Sequence, residues 1–597
     1  MNAFERDIMP EPKPRPASIA WVEALAATAE IEKYPQRLLA DVIAAIAAET
    51  PDVPALLSDR ETFTFAELAD RAERFCRWAL ARGLKPGDTV ALLMSNRPEY
   101  VAIWLGLSMA GVVTALINTS LTGRSLVHCL KLAKPVHVIA EARYFDAVAP
   151  CMAELDGAML WSHGEGHSNR IDTAVAELNT GLVISRPTVT IDDAALLIYT
   201  SGTTGLPKAA HVSHRRVLNW ALWFKGMLGN TKADRMYDCL PLYHSVGGIV
   251  AVAATLVAGG STLIAERFSA RRFWSDIRRW NCTQVQYIGE LCRYLMNVEA
   301  TASDTQHSIR VACGNGLRED IWKPFQDRFG IPQIVEFYAA TEGSFSLFNA
   351  EGKPGSIGRV PPFLRHRFPT AIVKFDHDTG LPGRDVEGLC IRATADEAGE
   401  AIGRIGIGEE GSGRFEGYTD PKESERKILR NVFKPGDMWF RTGDLMRVDK
   451  AGYYSFVDRI GDTFRWKGEN VSTLEVANAL SGAAGILDVT VYGVAVPGAD
   501  GKAGMAFLDV ADGFDLQDFL RHAARQLPAY AVPLFIRIGK SLTLTETFKH
   551  KKQDLVRDGF DPSLTEDAIY LRHAKEGYVR LDADLYGRVC SGAEKLA

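Results

Sequence analysis

From Phe63 onward, amphipathic stretches of helical period alternate with short β-branched runs such as Thr89-Val90-Ala91-Leu92-Leu93 and Val136-His137-Val138-Ile139. Strands that alternate with helices predict βαβ units and parallel sheets covered on both faces, and this pattern runs to about residue 350. Ahead of it, the first fifty residues predict a polar lead-in and then an Ala-rich amphipathic helix over Arg37 to Ala48. Between residues 351 and 457 glycines multiply and apolar runs shorten. Leu389 to Arg392 and Tyr453 to Val457 read as strands of a smaller β-rich subdomain. After Asp458 a compact α/β segment begins, with a helix near Leu474 to Leu480 and strands near Val489 to Val496. The expected organisation is a lead-in (1–40), a large α/β domain with a β-rich subdomain (41–460) and a small α/β domain (461–597). The last boundary falls at Arg459 to Asp462, where a glycine lies among charged residues.

Composition narrows the function classes. A chain of 597 residues with 47% hydrophobic and 24% charged side chains has the balance of a multi-lobed globular protein, not of a disordered one. Its formal charge of -6, from 68 basic and 74 acidic residues, argues against nucleic-acid binding. Nine cysteines without a C-x-x-C pair suit reduced thiols in a cytoplasmic setting, and the thirteen histidines form no ligand pattern. The N-terminus carries Glu5, Asp7 and a Pro-rich stretch and predicts no signal peptide. Tyr100 to Thr122 and Ser245 to Ala265 have the length of a bilayer span but are broken by glycines. Both read as core, the second as a helix ending at Gly259-Gly260 followed by a short strand.

The most informative stretch is Tyr199-Thr-Ser-Gly-Thr-Thr-Gly-Leu-Pro-Lys208. The apolar run Ala194 to Ile198 before it reads as a buried strand, and Ser213 after it as the N-cap of a helix. Glycines and hydroxyls in such a loop offer N–H and O–H donors to phosphate oxygens, and Lys208 adds positive charge. The spacing is not that of a Walker loop, so a P-loop nucleotidase is disfavoured.

This loop resembles the phosphate-binding loop of the adenylate-forming superfamily, which includes acyl-CoA synthetases, luciferases and peptide-synthetase adenylation domains. Four further blocks follow in the family's order. Pro241-Leu-Tyr-His-Ser-Val-Gly-Gly248 is similar to the block beside the acyl site, and Tyr338-Ala-Ala-Thr-Glu-Gly343 to the adenine and magnesium block. Arg441-Thr-Gly-Asp-Leu445 resembles the ribose block, and Asp458-Arg-Ile-Gly461 the interdomain hinge. Val285 to Tyr294, Cys313 to Arg318, Phe464 to Ser472 and the tail from Ile569 to Leu596 resemble the fatty acid transport protein and very-long-chain acyl-CoA synthetase branch.

The resemblance implies roles. Thr200, Ser201, Gly202, Thr203, Thr204, Gly205 and Lys208 would hold the β- and γ-phosphates of ATP. Glu342 would be the protein ligand of Mg2+, and Thr341 would donate to the α-phosphate. Tyr338 would face adenine opposite Gly314, Asn315 and Gly316, while Asp444 and Arg459 would hold the ribose. His244 would shape and gate the acyl carboxylate site. Lys549 matches the catalytic lysine of the C-terminal domain, although Thr547-Phe548 replaces the usual Ser/Thr-Gly pair. Gly461 would be the pivot of a mobile C-terminal domain. One face of that domain would deliver Lys549, and the other would bring Trp466, Lys467 and Gly468 to line the path of CoA.

The implied activity is conversion of a long- or very-long-chain fatty acid, through an acyl-adenylate, to acyl-CoA with release of AMP and pyrophosphate. A CoA ligase for a bile acid or steroid side chain shares these blocks. Fatty acid uptake by metabolic trapping is compatible with them, as is loading of a carrier protein's phosphopantetheine arm. The expected location is the cytoplasm, free or peripheral on the inner face of the membrane.

Overall fold

The computed structural model describes residues 15–178, 185–200, 206–376, 379–406, 414–466, 469–499, 501–540, 552–573, 576–594 and 596. The chain forms two compact units. The first comprises Met1–Gly358 with Phe415–Glu425, the second Arg359–Arg414 with Arg426–Ala597.

The first unit holds two largely parallel sheets, as the βαβ pattern predicts. One orders its strands Met159–His163, His137–Glu141, Thr89–Leu93, Val113–Leu116, Ala194–Thr200 and Lys208–Ser213. Only the last strand is antiparallel, paired with Ala194–Thr200 as a hairpin. The other sheet has eight strands, with Arg235–Asp238, Gln284–Ile288, Val311–Asn315 and Ile334–Ala339 consecutive near one side. Strands buried on both faces need continuous apolar runs, and Val90 to Leu93 and Ala195 to Ile198 are such runs.

Three expectations are corrected here. The lead-in is not wholly polar: Ala17–Thr28 is a helix that buries Ala20, Trp21 and Ala24. Trp21 meets Trp223 and Phe348 edge-on at 5.5 and 5.7 Å, which makes this helix part of the first unit's core. Second, a strand that the pattern does not predict lies between the candidate phosphate loop and the helix that Ser213 caps. The loop joins two antiparallel strands, and the helix His214–Leu228 starts only after Lys208–Ser213. Two small alanines at 209 and 210 and the half-buried His211 obscure that strand's alternation in the sequence. Third, Leu389 to Arg392 forms only isolated bridges, Arg384 with Cys390 and Val373 with Arg392, and is not a strand of its own.

Other expectations hold. Ser213 caps its helix by accepting the Arg216 N–H. Tyr100 to Thr122 folds as helix Pro98–Met109 and strand Val113–Leu116, all core. Ser245 to Ala265 gives a helical stretch that begins as a π-turn at Val246–Ala251, then strand Ser261–Ile264. Among the described residues no helix is long and apolar enough to cross a membrane.

The second unit contains an antiparallel sheet with the 11-residue strand Met438–Val448 at its centre, flanked by Gly399–Arg404 and Tyr454–Arg459. It also contains a five-stranded sheet led by the hairpin Ile486–Ala495 and Lys502–Val510, with helices Thr473–Ser481 and Leu516–Gln526.

Candidate active site

Two strand ends set the first part of the site. Ile334–Ala339 presents Tyr338 at its C-terminal end, half-buried and edge-on to Phe345 at 5.5 Å. Its parallel neighbour Val311–Asn315 ends in Gly314 and Asn315, with Gly316 just beyond. A Cβ on Gly314 would lie 2.3 Å from the Tyr287 carbonyl oxygen, and Gly316 has φ +79°, so this turn needs glycine at both positions. The Asn315 side-chain oxygen is buried and accepts no hydrogen bond among the described residues. An unpaired buried acceptor beside an aromatic face suits an exocyclic amine of a base.

Beyond Tyr338, the chain turns through Thr341 and Glu342. The Glu342 carboxylate is buried and accepts the Tyr418 hydroxyl at 2.5 Å. Burial and the adjoining Glu342 carboxylate push the Tyr418 phenol far above its ordinary range, so it stays a neutral donor. Lys208 lies 5.8 Å from the Tyr418 ring centroid and pairs with Glu423. Lys208, Tyr418 and Glu342 thus form one connected group.

Tyr418 belongs to the returning segment Phe415–Glu425, which pairs along the edge strand Lys208–Ser213. His211 N–H donates to Gly417 O at 3.0 Å, and Thr419 N–H to Ala209 O at 2.9 Å. Beside it, Glu416 accepts the Ser213 N–H and hydroxyl at 2.7 and 2.5 Å and pairs with Arg216 at 3.5 Å. Arg216 donates in turn to the carbonyls of Thr341 and Gly343, at 2.6 and 3.1 Å, and so braces the backbone on either side of Glu342. The Thr341 hydroxyl lies 3.5 Å from Ser245 Oγ, which places the residue after His244 beside it. His244 is half-buried and tilted against Tyr243 at 4.6 Å. Gly248 donates its N–H to the His244 carbonyl and closes that turn.

A single carboxylate is what a magnesium ion asks of a protein when phosphate oxygens and waters complete its shell. Glu342 meets that demand. Among the described residues no cluster of three His, Cys, Asp or Glu side chains offers an all-protein cage instead. The donor set therefore fits the metal that the sequence resemblance implies.

In the second unit, Asp444 and Arg459 are cross-strand partners, with Arg459 Nε 3.9 Å from the carboxylate. Asp458 accepts the Thr473 N–H at 2.5 Å and so ties the strand end to the helix Thr473–Ser481. Gly461 follows in a turn where an added Cβ would meet nothing within 4 Å. Lys552 pairs with Asp462 at 3.2 Å, so it is not merely a solvated member of a basic run. The Trp466 indole is buried in the core of the small α/β domain. Ser201, Gly202, Thr203, Thr204, Gly205, Lys467, Gly468 and Lys549 lie outside the described residues.

Arg216, Glu416 and Tyr418 went unread in the sequence. Arg216 sits among ordinary helix residues. Glu416 and Tyr418 fall in a glycine-bearing stretch without period, and only strand pairing reveals their place.

Residues 43–388 match the model of the AMP-binding enzymes. The chain belongs to this family. It is 41% identical to the long-chain fatty acid transport protein 1 of Mus musculus over 92% of this chain and 87% of that one. With the Homo sapiens protein of the same name the identity is 42%, over 89% and 84%. The long-chain fatty acid transport proteins are therefore its branch of the adenylate-forming superfamily. The fold also matches an anthranilate CoA ligase solved with anthranoyl-AMP, with a TM-score of 0.75 and 21% identity over 88% of this chain and 98% of that one.

Proposed function

We propose that this AMP-binding enzyme is an ATP- and magnesium-dependent ligase that converts long- or very-long-chain fatty acids to acyl-CoA through an acyl-adenylate. The observation that carries the reading is the connected group Lys208, Tyr418 and Glu342, braced by Arg216 next to Thr341. A carboxylate is a poor electrophile, and exchange of pyrophosphate for the acid at the α-phosphate makes it reactive toward a thiol. Magnesium held by Glu342 would neutralise phosphate charge in that exchange. Lys208 and residues 200–205 bind the leaving phosphates, Thr341 donates to the α-phosphate, and Tyr338 with Gly314–Gly316 positions adenine. Asp444 and Arg459 hold the ribose. His244 shapes the mouth of the acyl site and takes no proton, because the fatty acid is already ionised.

Lys549 orients the carboxylate and neutralises charge in the pentavalent transition state. The C-terminal domain then turns about Gly461 and brings Lys467 and Gly468, which follow the core-packed Trp466, to the CoA path. Chain length follows from the relatives' names, which specify long-chain fatty acids. The word transport in those names fits trapping, since thioester formation retains the acid. The test is AMP and pyrophosphate release with magnesium, free CoA and a panel of saturated acids beside sterol acids. Turnover confined to long chains is expected, and preference for the sterol acids would overturn the substrate assignment.

A further inference from the structure

Directly behind the Gly314–Gly316 turn lies a fully buried carboxylate with no part in the chemistry above. Glu336 stands two residues before Tyr338 on the same strand, in register with Gly314. One of its oxygens accepts the Leu317 N–H at 3.0 Å, and the other accepts the Tyr287 hydroxyl at 2.5 Å. Tyr287 in turn is the residue that Gly314 packs against most closely. A backbone N–H and a phenol thus converge on one side chain, one on each oxygen, and in the proposed function the turn they fix is the wall opposite the Tyr338 ring. A buried carboxylate is costly unless its lone pairs are filled, so the arrangement persists as a unit.

We propose that Glu336 is a positioning residue for the nucleotide, setting the Gly314–Leu317 backbone that walls the adenine subsite. The inference rests on the adenylation reading and assigns one more residue within it.

The proposal carries its own pH signature. Burial pushes the Glu336 carboxyl up to about 7, against the opposing pull of the Tyr287 hydroxyl and the Leu317 N–H. The groups that face it are Cys313 on the neighbouring strand, Tyr287 on the strand beyond that one, and Cys292 on the helix Gly289–Met296. Burial holds all three well above their ordinary values, so they remain neutral while Glu336 titrates. Because its folded value is raised, Glu336 is protonated below pH 7 and becomes the stronger acceptor as pH rises through 7. The bonds from the Leu317 N–H and the Tyr287 hydroxyl are therefore stronger on the alkaline side, while the buried charge costs fold stability as pH rises through 7.

The test uses the full chain and an acyl-sulfamoyl-adenosine analogue of the adenylate, whose own charge is constant from pH 6 to 8.5. Wild-type affinity should rise about threefold to tenfold across that range, the size of one net hydrogen bond. Glu336→Gln should flatten the profile at the weaker value and raise KM for ATP, with KM for the fatty acid unchanged. Tyr287→Phe removes a donor that favours the carboxylate and should move the midpoint to higher pH, which gives a second reading should Glu336→Gln fold poorly. Affinity that is equal at every pH and indifferent to both substitutions would overturn the Glu336 assignment alone. A wild-type chain that binds no analogue at any pH would sink the adenylation reading and this inference with it.

Discussion

Arg216 and Arg459 are both arginines beside a carboxylate, and the chain uses them in opposite ways. Arg216 and Glu416 are 10% and 7% exposed, lie 3.5 Å apart, and spend their remaining valences on Ser213 and on the carbonyls of Thr341 and Gly343. Arg459 is 49% exposed and stands 3.9 Å from Asp444, two residues before a glycine with open space around it. A buried, fully bonded pair cannot rearrange without leaving a desolvated charge, whereas an exposed pair at that distance exchanges with water at little cost. The first has the character of a fixed frame, and the second suits the part that the proposed function sets in motion. The proposed two half-reactions call for both: constant support where phosphates and metal would bind, and a lysine and a thiol path that would alternate.

The largest expected effect tests whether chemistry depends on the alternating part. Lys549→Ala should slow acyl-adenylate formation by about two to three orders of magnitude, the loss typical of one electrostatic contact to a transition state. Thioester formation from supplied acyl-adenylate should be spared. Pyrophosphate release and acyl-CoA formation, assayed separately, read the two steps. Equal losses in both would remove Lys549 from its role and erase the division of labour.

The frame should fail differently. Arg216→Met leaves Glu416 buried without its ion-pair partner and frees two carbonyls beside Glu342, so about 3–5 kcal/mol of stability should go. Denaturant titration measures it, and the adenylation rate of the surviving folded fraction should fall as well. A cost below about 1 kcal/mol would place this pair in the same class as Arg459 with Asp444.

Much of the architecture was legible because it rests on local pattern. The strand Ala194–Thr200, the Ser213 cap and the helix Thr473–Ser481 each follow from a run of apolar or capping residues that signals itself. The strand Lys208–Ser213 and the buried helix Ala17–Thr28 did not, since alanines carry little periodicity and Trp21 alone marks the buried side. The site divided along the same line. Tyr338, Thr341 and Glu342 announce themselves as a block, while Glu336, Tyr418, Arg216 and Glu416 act through partners as far as 49 residues (Tyr287 with Glu336), 76 residues (Tyr418 with Glu342) and 203 residues (Ser213 with Glu416) away, or through buried backbone groups. No spacing rule encodes such contacts.

The hinge is the next place to press. Gly461→Ala should leave both half-reactions near wild type, because the added methyl group meets nothing within 4 Å. Gly461→Pro fixes φ and removes a donor, so one half-reaction should survive while the other falls by about tenfold or more, roughly 1.4 kcal/mol of barrier. Parallel assays of the two steps would show it. A uniform loss would mean that position 461 supports the fold and does not pivot.

The smallest effect falls on Arg459 itself. An exposed pair of this geometry is worth at most about 1 kcal/mol, so Arg459→Ala should scarcely shift the melting temperature, in low salt or high. Its consequence should appear in KM for ATP, with KM for the fatty acid unchanged, because in the proposed function the guanidinium would keep Asp444 turned toward the ribose hydroxyls. A melting-temperature loss as large as that of Arg216→Met, with ATP kinetics intact, would show that the two arginines serve the same structural end and that the contrast between frame and moving part is drawn in the wrong place.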